Sequence, residues 1–157
     1  MLCGGGINGT DAGAGDRYFT KAAAATVSTE AAILNLQSVE TFQSKTNRVV
    51  SKLVKASMSS DGTKNVKIKI YAGLVISGAS WTDINATNST IQFDTSGTVT
   101  PDDDNLIMEY DLAKVDSIVD AVGDISANLP PNTTMTITGT SASNNDVSFT
   151  VRWRELF

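Results

Sequence analysis

Few residues of this chain have the types and spacing that catalysis or metal binding needs. The densest carboxylate group is the run 102–104 in TPDDDN. Such a group could bind Ca²⁺, but calcium loops space their ligands at alternate positions, whereas consecutive residues point in different directions. A glycosidase needs two carboxylates facing each other across a cleft, and Glu30, Glu40, Glu109 and Glu155 show no local pairing of that kind. We therefore expect a solvated turn at 102–104 and no enzymatic activity.

Other common reactive sets are missing from the sequence. It contains no histidine, the commonest general acid or base and the commonest transition-metal ligand. Cys3 is its only cysteine, which excludes an internal disulfide and a thiolate metal cluster. The segment CGGGINGTDAGAG is glycine-rich but lacks the lysine and the preceding strand of a phosphate-binding Walker motif. We expect neither a metal nor a cofactor.

Aromatic side chains offer one alternative function. Tyr71, Trp81 and Trp153 could form a platform on which sugar rings stack, which would make the protein a carbohydrate-binding or adhesin-like recognition module with Trp81 as its ligand-binding residue. Aromatic residues make up only 6% of the chain, a content that core and edge packing explains more simply. The two interpretations remain open at this stage.

Net charge bears on the partners. A formal charge of −5 and a pI near 4.5 argue against nucleic acid, which normally requires a basic surface. No apolar stretch approaches the roughly 20 residues of a membrane span, and the first 25 residues lack the apolar region of a secretory signal. We therefore expect synthesis in a cytoplasm and no membrane partner.

The charges are unevenly distributed along the chain. Between residues 45 and 69 there are seven cations and one acid, whereas between 83 and 155 there are twelve acids and three cations. If the two segments form opposite faces, copies of the chain attract one another head to tail. If they form neighbouring strands, their charges neutralise within one subunit. The cations expected at a subunit contact are Lys52, Lys55, Lys67 and Lys69.

The first 26 residues include six glycines, six alanines and few large apolar side chains, so they bury too little surface to offset the entropy of ordering. They predict an extended N-terminal arm ordered by a partner, with Gly4, Gly5, Gly6, Tyr18 and Phe19 as contact residues. In the alternative interpretation, Tyr18 and Phe19 fold the segment back onto its own domain. Residues 27–157 are predicted to form a single β-rich domain.

Hydrophobic periodicity predicts a mainly β fold, namely an antiparallel sandwich or small barrel with one or two packed helices. The clearest strand begins at Val66, where apolar residues alternate with Lys67, Lys69 and Tyr71. Further strands are predicted around Ile91 and over 106–112. The segment 48–58 fits either a helix or a strand, and its β-branched content favours a strand. A final hairpin is predicted from TTMTITGT to VSFTVRWREL, with Val147, Phe149, Val151 and Trp153 on one face.

Two segments have helical spacing. Ile33, Leu36, Val39 and Phe42 recur every three residues, which predicts a helix over 29–42. After the strand that begins at Leu106, a second helix is predicted over 111–123, with Asp111 as N-cap and Gly123 as its end. Its apolar stripe consists of Leu112, Val115, Ile118, Val119 and Val122.

The opening MLCGGGINGTDAGAGDRYF, together with the strand, helix and hairpin order from Leu106 to Phe157, resembles small virion proteins of tailed bacteriophages. These are auxiliary or decoration proteins of the capsid and subunits of the tail-tube type. The resemblance implies a non-enzymatic structural role in a virion, many identical copies in a homo-oligomer, and an arm that clasps a neighbour. It implies partners that are copies of the chain or other virion proteins, assembled after synthesis in the host cytoplasm.

Overall fold

The computed structural model describes residues 16–120 and 127–157, and these are almost entirely β. Their strands are β1 (Asp16–Val27), β2 (Ala31–Ser38), β3 (Thr41–Phe42), β4 (Lys45–Thr46), β5 (Val50–Ser60), β6 (Val66–Ala72), β7 (Ile76–Ser77), β8 (Thr82–Asp83), β9 (Ile91–Asp94), β10 (Thr98–Val99), β11 (Leu106–Leu112), β12 (Asp116–Asp120), β13 (Asn128–Leu129), β14 (Thr134–Ser141) and β15 (Asn145–Leu156). The described helical structure is one short 3₁₀ turn, Asp103–Asn105.

Two antiparallel sheets form a sandwich, which confirms the predicted fold class. Sheet A has the strand order β1-β15-β5-β12, with β13 also paired to β5, and sheet B has the order β11-β6-β14-β2-β9-β8. Side chains of β1 meet those around β9, since the Lys21 ammonium lies 3.3 Å from the centre of the Phe93 ring. The turn 113–115 joins β11 to β12 at the other side. The sandwich thus has a β1/β9 margin and a β11/β12 margin.

Alternating apolar residues build the core between the sheets. On β15 the buried residues Val147, Phe149, Val151 and Trp153 alternate with exposed or half-buried polar ones. Facing them, β6 buries Val66, Ile68 and Ile70, and β14 and β2 contribute further apolar residues. Strand alternation therefore places one face of each sheet in the core and directs the other face outward.

The outer face of sheet B is covered by the loops and short strands of residues 73–105. A row of side chains crosses this face from β6 to β9 through the register Tyr71↔Thr136, Thr136↔Asn35 and Asn35↔Asp94. All four residues are buried, with at most 2% of their surface exposed. Sheet B is consequently buried on both faces along this row.

The helix predicted over 29–42 is wrong, because residues 31–38 form the central strand β2. Both faces of β2 are covered, so residues 33–36 are buried in succession. The alternation that identifies a half-exposed strand is absent there.

The helix predicted over 111–123 is also wrong in its described part. Leu112 ends β11 and Ile118 belongs to β12, so the apolar stripe is divided between two strands of different sheets. Between them Val115 has φ +53°, a left-handed conformation that β-branched residues rarely adopt. Val122 and Gly123 lie outside the described residues.

Both strands of the predicted final hairpin exist, but they do not pair with each other. Strand β14 belongs to sheet B and β15 to sheet A, so their connection crosses the sandwich. Burial of the four apolar residues of β15 is confirmed. The strands predicted around Ile91, over 48–58 and over 106–112 are confirmed as β9, β5 and β11.

Residues 16–26, which the sequence assigned to the arm, form most of β1 and pair with β15 along the whole strand. The Phe19 ring stacks on Trp153 in the core, with centroids 6.0 Å apart, as the alternative interpretation expects, whereas Tyr18 faces outward and is half exposed. Gly4, Gly5 and Gly6 lie outside the described residues.

Candidate interaction surfaces

A cationic patch occupies the outer face of sheet A. It consists of Lys52 and Lys55 on β5 and of Arg152 and Arg154 on β15. Across the two strands, Lys55 is in register with Arg152 and Lys52 with Arg154. Its one ion pair among the described residues joins Arg154 to Asp16 on β1, at 3.4 Å. Like charges on neighbouring strands are unfavourable in an isolated sheet.

Next to the cationic patch, Tyr18 presents an exposed ring. Half of its surface is accessible, and the Arg152 guanidinium lies 5.0 Å from the ring centre. Towards the other end of the strands the outward residues are small, with Ala22 and Ala24 on β1, Ser59 on β5 and Ser148 on β15 exposed. The outer face of sheet A is thus a surface of small and hydroxyl side chains with a positive end.

The cations of sheet B are neutralised within the chain. Lys67 forms an ion pair with Glu109 and lies 3.7 Å from Asp111. Lys69 lies 3.7 Å from Glu30 and 3.4 Å from Asp103. The antiparallel register of β11 on β6 places Glu109 opposite Lys69 and Asp111 opposite Lys67, which brings both acids of β11 within reach of Lys67. The partners of Lys69 come from outside β11.

Glu30 organises a polar cluster beside these pairs. Its Oε1 accepts hydrogen bonds from the Tyr71 hydroxyl at 2.7 Å and from the Thr138 hydroxyl at 2.8 Å. Burial, followed by this hydrogen bond to Glu30, raises the pKa of Tyr71. Interaction with the Tyr71 hydroxyl, together with the Glu30 charge, raises the pKa of Lys69. The cluster joins β6 and β14 to the β1–β2 connection.

Asp94 holds the loops that cover sheet B. Its carboxylate accepts hydrogen bonds from the backbone N–H groups of Ser80, Ser96 and Gly97 and from the side chains of Ser96 and Asn35, over 2.6–3.2 Å. Burial alone raises the pKa of Asp94, but these hydrogen bonds outweigh it and hold the pKa far below the ordinary value of 3.8. Asp94 is therefore an ionised, structural carboxylate.

A second buried carboxylate, Glu155, ties the two sheets together. It accepts hydrogen bonds from the Ser89 hydroxyl, from the Thr90 backbone N–H and hydroxyl, and from the Trp153 indole N–H. Glu155 is on sheet A, whereas Ser89 and Thr90 precede β9 of sheet B. Its oxygens are engaged within the fold, which is typical of a structural carboxylate.

A cationic cleft lies on the β1/β9 margin. Its volume is about 220 Å³, and its walls include Arg17, Lys45 and Arg48 together with the rings of Phe42 and Phe157. The Arg17 guanidinium lies 4.4 Å from the centre of the Phe157 ring, and the two phenylalanine rings are 6.0 Å apart. None of the three cations forms an ion pair within the described part of the chain.

The β11/β12 margin is acidic. Asp102, Asp103 and Asp104 lie at the 3₁₀ turn that leads into β11, and Glu109 and Asp111 lie on the strand itself. The side chains of Asp103 and Asp111 are 83% and 75% exposed. Asp102 caps the turn by accepting a hydrogen bond from the Asp104 backbone N–H. Across residues 16–120 and 127–157, no group of three metal-ligating side chains is placed to hold an ion.

Of the four lysines expected at a contact, Lys52 and Lys55 lie on the outer face of sheet A, whereas Lys67 and Lys69 lie on sheet B among acids. Trp81 is half-buried in the loop between β7 and β8. A cleft of about 420 Å³ opens elsewhere in the covering loops, and its lining combines polar residues such as Ser77 and Thr100 with apolar ones such as Leu74 and Val99.

The sequence did not identify the cationic cleft. Lys45 and Arg48 were visible as part of the basic segment, but Arg17 and Phe157 join them through the β1–β15 pairing, 140 positions apart along the chain. The spacing of residues in the sequence gave no signal for that contact.

Among the described helices, none is long and apolar enough to span a membrane.

No protein-family model matches the chain, and no curated protein matches it. Among solved structures, a chain from the viral particle of IBDV aligns with 90% of this chain and with 39% of its own length, at 8% sequence identity and a TM-score of 0.20. This chain thus spans about two fifths of that structure. A score this low carries no argument about fold or function.

Proposed function

We propose that this protein is a non-enzymatic structural subunit of a virion, which associates with copies of itself or with other virion proteins through charged surfaces. The finer assignment is a capsid auxiliary or decoration protein, or another head or tail assembly component, of a tailed bacteriophage. That assignment rests on the resemblance of the whole chain to such proteins.

The observation that carries the proposal is the cationic patch on sheet A. Lys52 and Arg154 are neighbours across the strands, and so are Lys55 and Arg152. Such neighbours raise the free energy of the isolated subunit, and an anionic partner on this face removes that cost. A second copy or another virion protein can supply such charge, since this chain carries a net charge of −5.

The buried carboxylates support a structural role. Asp94 and Glu155 are the two most deeply buried acids of the described chain, and both accept several hydrogen bonds from loops of their own subunit. Each stabilises the sandwich directly, which accounts for its burial without a substrate.

The first test is the solution mass of the full chain by light scattering, at about 0.05 M and about 1 M salt, where the screening length falls to about 3 Å. We expect a defined oligomer at low salt that dissociates at high salt. A monomer under both conditions, at all concentrations reached, contradicts self-association.

The virion assignment has its own test. Particles produced by the genome that encodes this chain are purified and analysed by mass spectrometry. We expect peptides of this protein in many copies per particle, and purified particles without them contradict the assignment.

A further inference from the structure

The two charged margins lie at the same end of the sandwich. The cationic cleft lies near the end of β2. It is formed by the segment 42–49, by Arg17 at the start of β1 and by Phe157 after β15. The acidic turn precedes Leu106, which pairs with Tyr71 near the end of β6. Since β6, β14 and β2 are antiparallel neighbours, the register places the end of β6 beside the start of β14 and the end of β2. The cationic cleft and the acidic turn therefore lie at the same end of the strands, on opposite margins of the sandwich.

The cleft is built to receive anions. Lys45 and Arg48 are exposed, and Arg17 is oriented by a hydrogen bond from its Nη1 to the Asn88 carbonyl at 3.0 Å. Phe42 and Phe157 form apolar walls beside these charges.

The cleft is also held in shape. It is bounded by the β3–β4 hairpin, in which Gln43 and Ser44 both have positive φ, at 51° and 62°, and Gln43 donates a hydrogen bond to the Thr87 carbonyl at 2.8 Å. Asn47 is buried and donates to the Val39 carbonyl at 2.7 Å. A preformed site loses less entropy when it binds a partner.

We propose that the cationic cleft of one subunit receives the carboxylates at 102–104 of a second copy, so that subunits associate side by side. This inference rests on the proposed self-association and specifies its contact. Because the two partners come from different margins, each subunit offers both halves of the contact, and the interaction is heterologous. Such contacts repeat around a ring when the rotation closes and along a filament when it does not.

Reciprocal charge reversal tests the contact. The cleft variant carries Lys45→Glu and Arg48→Glu, and the turn variant carries Asp103→Lys and Asp104→Lys. Arg17 and Asp102 are left intact because both make hydrogen bonds to the backbone, whereas the described contact of Asp103 within the fold is the 3.4 Å pair of its 83% exposed side chain with Lys69. In each variant alone the two halves of the contact have the same sign, so we expect association about tenfold weaker or more. In an equimolar mixture every cleft again meets a turn of opposite charge, and we expect assembly to return.

Matched controls place similar changes at the other end of the sandwich. Lys64→Glu and Asp61→Lys alter exposed residues between β5 and β6, and we expect each to associate like the unchanged chain. Circular dichroism and urea denaturation verify that every variant is folded.

The outcomes separate this inference from the proposed function. If the unchanged chain stays monomeric at low salt, self-association itself is wrong. If it assembles and the reversals leave assembly unchanged, the contact is wrong while self-association stands. If the single variants dissociate but their mixture does not assemble, the cleft binds an anion other than the turn of a second copy, and the inference is overturned.

Discussion

The outer faces of the two sheets differ in how their charges are balanced. On sheet B, Lys67 and Lys69 lie opposite acids of β11 and form ion pairs within the chain. On sheet A, Lys52 and Lys55 lie opposite arginines. The same residue type is therefore neutralised internally on one face and left as a positive surface on the other. The difference teaches that strand register, and not composition, decides which charges are available to a partner.

The two faces also differ in covering. Residues 73–105 lie over sheet B and bury the polar row that includes Asn35 and Thr136, whereas the outward residues of sheet A are largely exposed. The outer face of sheet B is thus covered by loops of its own chain, whereas the outer face of sheet A is left open by the residues that the structure describes.

The largest expected effect comes from releasing the covering loops. Asp94→Ala removes the acceptor of several buried N–H and O–H groups, and each donor left without a partner is costly. We expect the free energy of unfolding to fall by about 3 kcal/mol, measured by urea denaturation. Asp83→Ala is the matched control, because Asp83 is exposed and accepts one hydrogen bond, from Gln92. Equal losses in the two variants contradict the role assigned to Asp94.

The pH dependence of stability is a second test of the structural role of Asp94. The pKa of Asp94 is far lower in the folded than in the unfolded chain. Its stabilisation is therefore present at neutral pH and is lost as the pH falls below about 5. We expect Asp94→Asn to be less stable at pH 7, with a flatter dependence between about pH 5 and pH 2. Parallel curves for the two proteins in acid would contradict this assignment.

A smaller effect is expected at the Glu30 cluster. Tyr71→Phe removes the hydroxyl that donates to Glu30, while the ring remains in place. A net contribution of about 1 kcal/mol is typical of one such hydrogen bond, and we expect a loss of that size in thermal or chemical denaturation. Unchanged stability of Tyr71→Phe contradicts the contribution assigned to this hydrogen bond.

The smallest effect on folding, and the sharpest on association, is expected on sheet A. Lys52→Glu with Lys55→Glu places acids opposite Arg154 and Arg152. We expect folding stability to rise by about 0.5 kcal/mol, as unlike cross-strand pairs replace like ones, while salt-dependent association weakens. The control is Lys67→Glu, on the neutralised face of sheet B. Equal effects of both changes on association would remove the distinction between the faces.

Part of this organisation could be predicted from the sequence. Alternation identified β6, β11 and β15, because each has one face in the core and one more accessible face. It failed for β2, since the loops 73–105 cover the second face and remove the polar half of the pattern. The left-handed Val115 gave no turn signal, so the strands on either side of it were interpreted as one helix.

The sequence did not show which distant strands pair with each other, and this limited the prediction of the surfaces. The basic segment was recognised, but the register of β5 with β15 and of β6 with β11 separated its lysines into free and paired sets. The cationic cleft depends likewise on β1 pairing with β15. No local pattern records such contacts, which is why Arg17 was not identified as a candidate.

The position of β15 has a consequence for the timing of folding. It lies between β1 and β5 in sheet A, yet it is the last of the described strands to be synthesised. Until residues 145–156 have left the ribosome, β1 and β5 lack their shared neighbour, and pairings of such high sequence separation form slowly. Arg152 and Arg154 reach the cationic patch at the same moment. A nascent chain therefore cannot present this surface, so the proposed association through it can begin only when synthesis of the sandwich is complete.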